Sequence, residues 1–128
     1  MTSNAEIAKA VFLAYVEDDR DAIEALIAED FRFTSPYDNG LDRKTYFTRC
    51  WPNHEMLAEM KFVRAIDSGD EAVITYEGKT KGGKVFRNTE VLTIRGGKLR
   101  KAEVYFGWNL PHAAPEGGFV DNPEAEEL

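Results

Sequence analysis

An α+β fold, with N-terminal helices packed in a curved antiparallel β-sheet, is what this sequence predicts. Three observations carry it. Helical periodicity with capping signals fills most of the chain before Pro52, and from Leu57 onward four β-prone stretches alternate with turn residues. At 128 residues the chain can enclose one core and not two.

Ser3 with Glu6 forms a capping-box pattern, and Ile7, Val11, Phe12, Tyr15 and Val16 then recur at helical spacing, which predicts a first helix to about Glu17. Glu17-Asp18-Asp19-Arg20-Asp21 reads as a turn, after which Asp21 and Glu24 cap a short second helix that carries Ile23, Leu26 and Ile27 and ends near Glu29. Phe31, Phe33 and Ser35 alternate with Arg32 and Thr34 as a strand stopped by Pro36, and Tyr37-Asp38-Asn39-Gly40 reads as turn. Asp42 caps a third helix through about Trp51, ended by Pro52. The meander then runs from Ala58 to Asp67, Glu71 to Lys81, Lys84 to Arg95 and Lys98 to Gly107, turning at Ser68-Gly69-Asp70, Gly82-Gly83 and Gly96-Gly97. These elements predict a single domain over residues 1–110 and an acidic, flexible tail over 111–128.

Composition excludes several function classes. With 43% apolar and 30% charged residues and no apolar run near the roughly 20 residues of a membrane helix, the chain reads as soluble, with no membrane partner. The first six residues lack the basic-then-apolar order of a secretory signal, and the single Cys50 suits a reducing compartment, so a cytoplasmic location is expected. A formal net charge of -7 disfavours nucleic acid; the lysines and arginines between Lys79 and Lys101 read as solvated strand faces. Gly82-Gly83 and Gly96-Gly97 lack the following helix of a phosphate cradle, and Pro52 keeps Cys50 and His54 off a common helix face, so no cofactor and no metal is expected.

The stretch Lys84 to Arg95 divides into unlike faces. Phe86, Asn88, Glu90, Leu92 and Ile94 lie on one, which should point inward; Val85, Arg87, Thr89, Val91 and Thr93 lie on the other. The inward face sets an amide and a carboxyl among large apolar groups, where an unpaired polar group costs about 1 to 3 kcal/mol. Asn88 and Glu90 therefore need partners, and Tyr15, a phenol on the apolar stripe of the first helix, is the candidate.

These patterns, in this order, resemble the nuclear-transport-factor-two-like superfamily, especially its SnoaL-like and ketosteroid-isomerase-like members. The resemblance covers about Ile7 to Trp108 and rests on Ala14-Tyr15-Val16, the acidic turn before Ala22-Ile23-Glu24-Ala25-Leu26, Ser35-Pro36, Asn88 to Ile94 before Gly96-Gly97-Lys98-Leu99, and Glu103-Val104-Tyr105-Phe106-Gly107-Trp108. It implies a cone, a bent sheet wrapped around helices, whose pocket takes a small hydrophobic molecule. It also implies a homodimer through the outer sheet face. In ketosteroid isomerases an aspartate base precedes the proline after the first strand, and a tyrosine and a protonated aspartic acid form the oxyanion hole. Tyr15 looks like that tyrosine and Glu90 falls at or beside the carboxyl, but Ser35 stands where the base belongs. An unactivated serine hydroxyl cannot remove a carbon-bound proton at neutral pH.

Two readings follow. In one, Glu90 carries a proton, Tyr15 donates a hydrogen bond and Asp38 substitutes as base, giving cofactor-independent isomerase-, cyclase- or hydrolase-like chemistry on a carbonyl compound. In the other, Glu90 is a structural carboxyl held by Tyr15 and Asn88, and the protein is a non-catalytic ligand-binding or assembly module. Ser35 is expected to bond local backbone at a pocket edge. Tyr76 and Trp108, with a polar handle each, Phe106 from the aromatic set, and Trp51 and His54 from the segment after the third helix complete the expected ligand-binding set with Ser35 and Asn88.

Overall fold

The computed structural model describes residues 3–121, in which helices pack into the concave side of a six-stranded sheet. Helix α1 (Asn4–Val16) is capped by Ser3, whose hydroxyl accepts the Glu6 amide, and buries Ala8, Val11, Phe12 and Ala14. Helix α2 (Arg20–Leu26) begins two residues earlier than expected, capped by Asp19 rather than Asp21 because Asp19 accepts the Ala22 amide, and buries Ile23. Strands β1 (Ile27–Ser35) and β2 (Asp38–Asp42) precede α3 (Arg43–Arg49), which Asp42 caps, and a 3-10 helix (Trp51–Met56). Strands β3 (Leu57–Ser68), β4 (Glu71–Thr80), β5 (Val85–Arg95) and β6 (Lys98–Leu110) form the meander.

The sheet order is β2-β1-β6-β5-β4-β3. Every neighbouring pair is antiparallel except β1 and β6, which run parallel, so the sheet is mixed rather than antiparallel throughout. The parallel pair places the Ser35 end of β1 beside the middle of β6, through Phe33 opposite Ala102 and Thr34 opposite Glu103.

Three further departures from the sequence expectation have a tertiary reason, while β6 simply runs on past Gly107 to Leu110. Helix α2 stops at Leu26 rather than near Glu29, because Ile27 pairs with Leu99 and enters the sheet. Asp38 to Asp42 is an edge strand rather than turn: Leu41 pairs with Phe33, and Thr34 Oγ1 accepts the Gly40 amide at 3.0 Å. Residues of low strand propensity are held there by the neighbouring strand. Pro52 does not close α3; the helix has already ended at Arg49, and the proline sits in the first turn of the 3-10 helix, where its missing N–H is harmless.

The core lies between α1, α3 and the concave sheet face, with Phe31, Ile23, Ile27, Ile74, Leu92 and Ile94 fully buried. On the convex face Thr75 and Thr89 share a hydrogen bond of 2.8 Å, Arg64 donates to Thr75, and Arg87 pairs with Glu77. Residues 111–121 follow β6 without helix or strand; the expected tail continues over 122–128, outside the described residues. Among the described residues no helix is long and apolar enough to cross a membrane.

Candidate functional site

The concave face and the helices enclose a cavity of about 380 Å³ with predominantly apolar walls, among them Val11, Phe12, Phe31, Phe33, Met60 and Phe86. Its polar groups include Tyr15 on α1, Ser35 and Asp38 at the β1–β2 turn, Tyr46 on α3, Asn53 on the 3-10 helix, and Tyr76, Thr80, Asn88 and Glu90 on β4 and β5.

Glu90 is surrounded by protein, and the surface it retains faces the cavity. Burial raises its carboxyl from 4.5 to about 7, against the opposing pull of a hydrogen bond from Tyr76. The partner of Glu90 is Tyr76 and not the expected Tyr15. Tyr15 does not bond Glu90 or Asn88; its hydroxyl donates to the Cys50 carbonyl at 3.3 Å. Tyr76 donates to Glu90 Oε2 at 2.8 Å and accepts from Asn88 Nδ2 at 3.4 Å. The reason is register. Tyr76 lies opposite Asn88 and diagonal to Glu90, within reach on the same sheet face, whereas Tyr15 approaches from the helix layer.

The polarity of this chain is fixed from its far end. Asn88 Oδ1 accepts the Gly107 amide at 3.2 Å, so its amide nitrogen faces Tyr76, whose oxygen must accept and whose proton must go to Glu90. Gly107 has that amide free because it is the extra residue of a β-bulge: Arg87 pairs with Trp108, Asn88 with Phe106, and Gly107 opposes neither. Glu90 Oε1 bonds to no described residue and is open to the cavity.

At the other end of the cavity, Ser35 Oγ accepts the Tyr37 amide at 3.1 Å and donates to Asp38 Oδ2 at 2.8 Å, and Asp38 Oδ1 takes Arg49 Nε at 2.8 Å. Both carboxylate oxygens of Asp38 are thus engaged, the serine bridges turn and carboxylate, and no histidine lines the cavity to activate it. Exposed Tyr37 stacks edge-on against Phe106, and both rings line the cavity.

Three residues expected at the pocket do not line it. Trp51 is buried behind Tyr15, ring centroids 5.7 Å apart. His54, expected in a surface loop near the mouth, is buried against Trp51, with Nε2 3.2 Å from Asp18 Oδ1. Trp108 lies on the convex side with Arg87 over its ring, because the bulge at Gly107 breaks the alternation that would have turned it inward. Cys50 does line the cavity, but burial pushes its thiol up to about 11, so it is neutral near pH 7 and no nucleophile. Tyr46, absent from the expected set, is 8% exposed and lines the cavity; its signal was its place beside Phe47 on the buried face of α3.

Comparison with known proteins agrees with this architecture. A protein from Kribbella flavida superposes with a TM-score of 0.76 at 18% identity, covering 84% of this chain and 88% of that one. A ketosteroid-isomerase-like fold from Catenulispora acidiphila, solved in complex with trimethylamine, has a TM-score of 0.65 at 20% identity, covering 83% and 88%. A candidate polyketide cyclase from Sinorhizobium meliloti has a TM-score of 0.65 at 20% identity, covering 78% and 94%. At these identities the likeness shows the fold alone. No curated protein matches the sequence. The profile of the SnoaL-like domain matches residues 8–102, and the chain belongs to the SnoaL-like family.

Proposed function

We propose that the protein binds a small, mainly apolar carbonyl compound in this cavity and that Glu90 moves a proton on it without a cofactor, as an isomerase or cyclase does. One observation carries this: an enclosed carboxyl at about 7, held by Tyr76 on one oxygen and open to the cavity on the other. Near neutral pH both its forms are well populated, which suits a group that must take and return a proton. The ionised carboxylate removes a proton from the carbon beside the carbonyl. The C–H pair becomes a C=C bond, the carbonyl π pair moves to oxygen, and the protonated Glu90 returns its proton to a carbon of the same molecule. No oxidant or second substrate is needed.

The test is deuterium exchange. Enolisable aryl ketones incubated with the protein in heavy water should gain deuterium faster than in buffer, and Glu90→Gln should lower that rate about a hundredfold or more. Binding without exchange would replace this reading by the non-catalytic one, in which Glu90 only orients the ligand.

The same reading gives the convex sheet face to a second copy of the chain. Tyr105 and Trp108 are 54% and 48% exposed there, beside the Arg87–Glu77 pair. Sedimentation velocity should find a dimer that Tyr105→Glu dissociates; a monomer at the highest soluble concentration would remove this assignment.

A further inference from the structure

Three phenols surround the carboxyl: Tyr15, Tyr46 and Tyr76 all line the cavity, and the charge of Glu90 acts on each of them. Two have spent their protons. Tyr76 donates to Glu90 and Tyr15 to the Cys50 carbonyl. Tyr46 has not. Its hydroxyl bonds to no described residue, and it is not sealed in protein as the unpaired Arg43 Nε is, so the cavity is where it opens.

The ring that carries this hydroxyl is held on three sides. Edge and tilted contacts to Phe31, Phe33 and Phe47 lie at centroid distances of 5.1, 5.2 and 5.4 Å, which leave the phenol little freedom to swing toward another partner. A donor that opens into a mainly apolar cavity has no protein acceptor there, and a ligand oxygen placed against it makes that bond directly. We infer that Tyr46, rather than Tyr15, is the hydrogen-bond donor that meets the ligand's oxygen in this cavity. The ligand class follows. It carries an acceptor oxygen at Tyr46 and, within one small apolar molecule, an acidic C–H or a donor at Glu90 Oε1, as an enolisable ketone does. Burial, and after it the neighbouring Tyr15 and Glu90, push the Tyr46 phenol well up, so it donates a hydrogen bond without losing its proton.

This rests on the cavity being a ligand site, and the test separates the two claims. Acetylnaphthalene and its isostere ethylnaphthalene, which lacks the oxygen, are titrated into wild type, Tyr46→Phe and Tyr15→Phe with binding followed by NMR. In wild type the ketone should bind about tenfold more tightly than the hydrocarbon; Tyr46→Phe should erase that ratio and Tyr15→Phe should keep it. A ratio lost in Tyr15→Phe and kept in Tyr46→Phe, or unchanged in both, overturns the inference and leaves the cavity reading intact. If neither compound binds wild type, the cavity reading itself falls, and the inference with it. The free proteins give a second check. Removing an unpaired hydroxyl should not lower the Tm of Tyr46→Phe, and a marked fall would mean that the phenol is a structural bond partner instead.

Discussion

Glu90→Gln is expected to stabilise the protein above neutral pH and to leave its stability near pH 4 almost unchanged. The sign follows from linkage. The carboxyl titrates at about 7 in the folded protein, raised from 4.5 by burial. Below 4.5 it is protonated in both states and costs nothing. As pH rises toward 7 the unfolded chain releases its proton while the folded one keeps it, and wild-type stability falls through that window. Above it the folded protein carries an enclosed carboxylate that costs up to about 3 kcal/mol, less whatever cavity water screens. Glutamine keeps the shape and still accepts from Tyr76 through its oxygen. Chemical denaturation of both proteins at several pH values measures the difference directly. A difference that is flat from pH 4 to 8 would mean that Glu90 is ionised at an ordinary value, one that favours wild type at high pH would mean that its carboxylate is stabilised, and either would remove its claim to proton transfer.

A penalty of that size is not offset by the single hydrogen bond that Glu90 receives from Tyr76. Carboxyls away from bulk water are commonly paired with a cation or several donors, and Asp38 has Arg49 and Ser35. Glu90 has one neutral donor on one oxygen and none among the described residues on the other. Stability given up at a cavity wall is a common mark of a site that acts on a ligand.

The legible and illegible parts of this fold divide along range. Caps, helix stripes and hairpin turns are local, so Ser3, Asp42 and the glycine turns of the meander could be read directly, as could the inward face carrying Asn88 and Glu90. Contacts between distant elements were not. Tyr76 was expected at the pocket, and its role as the partner of Asn88 and Glu90 could have been found by counting the β4–β5 hairpin register back from Gly82-Gly83 to its opposite residue, Asn88. The parallel pairing of β1 with β6 joins strands more than sixty residues apart and leaves no trace in either. Asp18 and His54 also meet across a long stretch of chain, from the turn after α1 to the 3-10 helix. Trp108 was lost to one inserted residue, since strict alternation counted along β6 fails at the bulge.

That inserted residue is the basis of the other large expected effect, in Gly107→Ala. A Cβ at position 107 would stand 2.1 Å from the Arg87 carbonyl oxygen and 3.1 Å from its carbon, both backbone atoms that no rotamer change can clear. Strands β5 and β6 must part or the bulge must unwind, and either movement also withdraws the amide that orients Asn88. A loss of about 3 kcal/mol or more follows, larger than an ordinary overpacking change because backbone and not side chain must yield. Gly96→Ala separates this from glycine's conformational freedom. Gly96 adopts φ +60 with nothing near its missing Cβ, so alanine there should cost only about 1 kcal/mol, from the left-handed backbone alone. Urea midpoints of the two variants provide the comparison. If Gly107→Ala is no worse than Gly96→Ala, the bulge yields easily and cannot be what holds the Asn88–Tyr76–Glu90 chain in one direction. If instead it folds weakly and still binds an aryl ketone, Asn88 finds its orientation elsewhere. Loss of both stability and binding makes one glycine in the last strand the support on which the polarity of the cavity depends.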